Sequence, residues 1–149
     1  MHIRPFILGL IISLCSIVAQ DRPEVVATRT ELIIKVDGLL DEPVWATIKP
    51  ITEFVQRLPL DGGEPTEKSE MRVAFNNNFI YFGFTFFDSD PEKVRATILN
   101  RGGWIHRDDK LEIALDTYHD RRNAYLFEMN PLGTQDDALI TDENQPGVD

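Results

Sequence analysis

The chain reads as an all-β protein, an antiparallel β-sandwich of the immunoglobulin or jelly-roll kind with one or two short helical turns. Three observations predict this. After Gln20 the apolar residues recur mostly at every second position, the period of a strand. Turn residues interrupt them at short intervals, at Asp37-Gly38, Asn76 to Asn78, His119 to Asn123 and Asn130 to Gly133. With 149 residues, 42% of them hydrophobic and 27% charged, the chain also has the size and composition of one globular domain.

The elements follow in order. "ELIIKV" (Glu31 to Val36) reads as a strand stopped by Asp37-Gly38. In "LDEPVWATI", Asp41 is expected to cap a helix of one or two turns, with Glu42 and Pro43 in the first turn and Val44, Trp45 and Ile48 forming an apolar stripe. A large aromatic in such a stripe belongs to the core, so Trp45 reads as packing. "ITEFVQRL" is a further strand candidate, and "PLDGGEPTEKSE" is a surface loop. "MRVAF", the asparagine turn and "FIYFGFTFF" form a hairpin whose second arm, apolar on both sides, reads as a central buried strand. Asp90-Pro91 opens a short helix, "NRGGWIHRDD" is a loop, and "KLEIALDTY" and "AYLFEM" are strands around the turn "HDRRN". The turn "NPLG" then leads to "TQDDALI". Nothing in "TDENQPGVD" could pair as a closing strand, so the domain reads as cut short at its C-terminal end.

Residues 1–20 stand apart. Arg4, the uncharged run Phe6 to Ala19 and a polar break make a secretory signal peptide, too short to span a bilayer, which leaves residues 21–149 as the domain. The single cysteine, Cys15, lies inside that signal behind Leu14, where a lipoprotein signal has a small residue. The mature chain then has no disulfide, thiolate metal site or cysteine nucleophile. Against 25 acidic residues stand 15 basic ones, a net charge of −10 that repels phosphate backbones and excludes nucleic acid as a partner.

The ordered set "VDGLLDEPVW", "MRVAFNNNFIYFGFTFFDSDP" and "DDKLEIALDTYHDRRNAYLFEMNPLG" resembles the family 9 carbohydrate-binding module, in the variant at the N-terminus of bacterial outer-membrane-associated proteins. The resemblance runs from about Glu31 to Asp137. It implies a sandwich that binds polysaccharide or oligosaccharide of the xylan or cellulose type without catalysis, in the service of carbohydrate catabolism. It also implies a Gram-negative bacterium, with the protein in the periplasm, the outer membrane or outside the cell, and a linked catalytic domain or outer-membrane barrel as partner. Within it Trp104 corresponds to one of two sugar-clamping tryptophans and Glu112 to a hydroxyl acceptor. The gap from Trp104 to Glu112 is longer than the family's pattern, and the second tryptophan would fall beyond Asp149.

Residue chemistry supplies the other candidates. Gly102 and Gly103 free the loop to present Trp104, whose ring suits the apolar face of a pyranose, while His106, Arg107, Asp108 and Asp109 suit its hydroxyls. Arg121, in its turn, could hold a carboxylate or sugar hydroxyls. Asp88 and Asp90 in "DSDP" are candidate ligands for structural Ca2+, a hard ion that takes six to eight oxygens, and the family resemblance favours such an ion. Asp109 and Glu112 could be imagined as a glycosidase pair, but they lie on or beside one alternating strand with no sign of an enclosed cleft. Two alternatives to a sugar-binding module remain: a structural or interaction domain ahead of a barrel with the sugar site lost, and part of a glycoside hydrolase.

Overall fold

A computed structural model describes residues 24–141; the segment expected to be a signal peptide, Cys15 and the last residues lie outside them. The fold is all-β as expected: the described residues form six strands in two three-stranded sheets, and helix among them is confined to one five-residue turn and two three-residue 3₁₀ turns. It divides into two compact units. One holds the residues up to Pro65 together with Ser69–Thr85; the other holds Thr66–Lys68 and the residues from Phe86 on. Among the described residues no helix is long and apolar enough to cross a membrane.

In the first unit the sheet order is β1 (Thr28–Arg29), β2 (Ser69–Phe75), β3 (Ile80–Phe86). β2 and β3 form the predicted hairpin, and Asn76 closes it, its side-chain oxygen accepting the N–H groups of Asn78 and Phe79. Two expectations are corrected here. β3 is an edge strand and β2 the central one, because β1 adds to the far side of β2, where Val73 and Ala74 are buried. That addition is parallel, Thr28 opposite Ala74 and Arg29 opposite Phe75, so this sheet is mixed. The long excursion from Thr30 to Lys68 supplies the crossover that a parallel neighbour requires.

Glu31 to Val36 is not a strand. Thr30 Oγ1 accepts the Leu32 N–H at 3.0 Å, and the Lys35 N–H goes to the Glu42 carboxylate at 2.8 Å, so local side-chain bonds take the donors a ladder would need. "ITEFVQRL" likewise makes only isolated bridges, Ile51 with Met71 and Gln56 with Gly63.

The helical turn α1 (Pro43–Thr47) forms where expected, but Glu42 and not Asp41 precedes it, and Glu42 makes no side-chain cap. Its carboxylate is used elsewhere: Oε2 accepts the Trp45 indole N–H at 2.9 Å while Oε1 holds Lys35. Trp45, 4% exposed, is packed with Ile34, Val44, Ile48 and Ala74, flanked by Leu40 and Tyr81. The tryptophan of "DEPVW" is core, and its polar edge is satisfied within the same motif.

The second unit contains β4 (Leu111–Leu115), β5 (Ala124–Met129) and β6 (Gln135–Ile140), an antiparallel meander. The register sets Leu111, Ile113 and Leu115 opposite Met129, Phe127 and Tyr125. The expected shared face of Tyr125, Phe127 and Met129 is therefore real, yet all three are exposed, while Leu126 on the other face is buried.

Candidate functional site

The Trp104 loop is shaped by close approach of the backbone. A Cβ on Gly103 would lie 2.6 Å from Ile98 Cγ2 and 2.8 Å from the Asn100 carbonyl oxygen, and Gly102 has φ of 70°, so neither position suits a larger residue. A 3₁₀ turn, Ile105–Arg107, follows, with the Arg107 and Asp108 N–H groups donating to the Trp104 and Ile105 carbonyls. Ile105 is buried and pins the loop, which leaves Trp104 facing outward at 58% exposure. Around its ring sit His106, with centroids 5.5 Å apart and tilted by 37°, and the Arg107 guanidinium, 4.4 Å from the ring centroid.

What holds this loop in place is Asp108, 7% exposed. Its Oδ2 accepts the Thr97 and Ile98 N–H groups, both at 2.8 Å, and the Asn130 amide at 3.0 Å; its Oδ1 accepts the Thr97 hydroxyl at 2.8 Å. Burial alone would raise the carboxyl's pKa. The bonds from Ile98, Thr97 and Asn130 outweigh that and hold it far below the usual carboxylate range. Asn130, 3% exposed, completes the network: its amide also donates to the Ile98 carbonyl, and its oxygen accepts the Leu132 and Thr134 N–H groups. One buried Asp-Asn pair thus ties residues 97–98, the tryptophan loop and the β5–β6 turn together.

The other candidates are placed as follows. Asp109 is adjacent, its Oδ2 accepting the Arg95 N–H at 2.7 Å and its own N–H donating to the Arg95 carbonyl. Glu112 lies on β4 opposite Glu128, with its Oε2 2.9 Å from Lys110 Nζ, and Lys110 also pairs with Glu128. Burial works against the Lys110 charge, but the bonds to Glu128 and Glu112 prevail and raise its pKa. Arg121, at φ of 58°, sits in the turn beyond β4, where its N–H donates to Asp116 at 2.8 Å. β4 is five residues long. It therefore puts roughly 13 Å of strand between that turn and the tryptophan end. The structure brings Trp104, Asp109 and the start of β4 to one end of the meander and leaves Arg121 at the other.

Asp88 and Asp90 are close in sequence but committed locally: Asp88 Oδ1 accepts the Asp90 N–H, and Asp90 Oδ2 pairs with Lys93 at 2.5 Å. Among the described residues no group of three or more acids, histidines or cysteines gathers as a metal site.

Sequence reasoning missed the structural weight of Asp108 and Asn130. The "NPLG" pattern announces a turn and says nothing of Asn130's buried amide, while Asp108 beside Asp109 looks like one more solvated acid. No known protein family, curated relative or solved structure matches the chain.

Proposed function

We propose that the chain is a non-catalytic carbohydrate-binding domain, exported to the periplasm, the outer membrane or the medium, that uses Trp104 as a stacking surface for xylan- or cellulose-type saccharides. The observation that carries this reading is a tryptophan 58% exposed on a loop fixed from beneath by a buried hydrogen-bond network. Exposing an indole forgoes about 1.5–3 kcal/mol of burial free energy, so a rigid loop that keeps it outward suits a ring-faced ligand. Asp109 and Glu112, at the same end, are the hydroxyl acceptors. Their carboxylates already bind an amide and an ammonium, an arrangement suited to polar contacts and not to proton transfer in a cleft.

The test is a fluorescence titration of the full chain with a panel of neutral and acidic oligosaccharides at millimolar concentration. Trp45 is sealed in the core, so the sugar-dependent change should come from Trp104 and vanish in W104F. No response to any member of the panel, or binding that survives in W104F, would sink the proposal. A competing reading is an interaction domain with no sugar site. The exposed row of Tyr125, Phe127 and Met129 favours it, and it predicts that W104F changes nothing.

A further inference from the structure

From Arg95 to Arg107 the sequence holds Arg95, Arg101, His106 and Arg107 and no acidic residue, within a protein of net charge −10. Two acids follow it: Asp108 is buried with both oxygens bonded, and one oxygen of Asp109 accepts the Arg95 N–H. Arg101 pairs with Asp137. Arg107 differs: its guanidinium lies 4.4 Å from the Trp104 ring centroid, and among the described residues no carboxylate pairs with it. A guanidinium stacked over an exposed aromatic ring keeps its N–H donors in its own plane, directed past the ring edge, and that is chemistry for a planar anion carried on a ring.

We infer that the saccharide taken at Trp104 carries a ring carboxylate, as uronic acids do, with Arg107 as the group that selects it. The inference rests on the saccharide reading above and adds the substrate class. The pyranose lies against the part of the indole that Arg107 leaves uncovered and its carboxylate meets the edge of the Arg107 fork, with His106 at the rim as a further hydrogen-bonding group. Dense polyanions such as nucleic acids are poorer ligands, because the −10 chain repels many charges at once, whereas an otherwise neutral oligosaccharide bearing a single uronic acid brings one charge.

Isothermal titration of the full chain at low salt compares a neutral xylo-oligosaccharide with one of equal length bearing a uronic acid, and adds inorganic polyphosphate as a control. The acidic sugar should bind about tenfold more tightly, the ratio that one charge-assisted bond supports. That ratio should fall to about one in R107Q and to an intermediate value in R107K, with circular dichroism confirming that each variant is folded. Equal affinities of the wild-type chain for the two sugars would overturn the inference and leave the saccharide reading intact. Binding of neither sugar would overturn both. Polyphosphate binding as tight as the acidic sugar would show a general anion patch and overturn the uronate assignment.

Discussion

Asp108 and Trp45 show how single side chains decide this structure. Asp108 is an acid that the fold has made necessary: four donors point at it, and protonation would set a carboxyl hydrogen against them. Its folded pKa is depressed, so its contribution to stability is complete above the unfolded value near 3.9 and is lost as pH falls from there towards the lowered folded value. Asp37, Glu42 and Asp120 shift in the same direction and add to the acid sensitivity. The comparison that isolates Asp108 is therefore D108N against wild type. Thermal melts between pH 6 and 2.5 should show D108N less stable at pH 6 and the gap closing as pH falls; a constant gap would mean that the carboxylate charge is not what the network holds. Trp45 was legible as core because its stripe with Val44 and Ile48 has one meaning, whereas Asp108 was not, since burial of one acid in an adjacent pair depends on contacts from residues 97 and 130 that no local pattern reveals.

At the scale of elements, strands with strict alternation and strong turns were readable, and those without were not. β4, β5 and the β2–β3 hairpin fall where period-two patterns meet Asx-type turns. Glu31 to Val36 has the composition of a strand, but Thr30 and Glu42 capture its amides, a competition that a window on the sequence cannot weigh. The edge position of β3 was equally hidden: "FIYFGFTFF" looks central, yet sheet order depends on where a distant two-residue strand docks. Gly83 explains how this edge strand still serves the core. A Cβ there would lie 2.9 Å from Leu40 Cδ2 and 3.1 Å from Trp45 Cζ3, so the missing side chain is what lets the indole lie against β3. The Leu40 methyl can move aside, whereas the buried indole has less room. G83A should cost about 1–2 kcal/mol, within the usual range for overpacking, and alter the emission of Trp45. Unchanged stability and emission would mean that the strand is free to draw back.

For the molecule as a whole, the open question is whether its two compact units are also two units of stability. The Trp45 cluster draws only on residues of the first, and the Asp108–Asn130 network only on residues of the second. The β1–β3 sheet belongs to the first unit but for Phe86 at the end of β3, and the β4–β6 sheet belongs to the second. Local networks that share no residue are expected to open in separate cooperative steps. The two tryptophans fall one in each unit and can report on each alone: W104F leaves Trp45 as the probe, and W45F leaves Trp104. In urea unfolding, D108N placed in the W45F background should lower the midpoint read by Trp104. The same change in the W104F background should leave the Trp45 midpoint where it was. G83A should do the reverse, moving the Trp45 midpoint and sparing that of Trp104. If either substitution moves both probes by the same amount, the units unfold as one, and the rigidity of the tryptophan loop then depends on the core around Trp45 as much as on the Asp108 network beneath it.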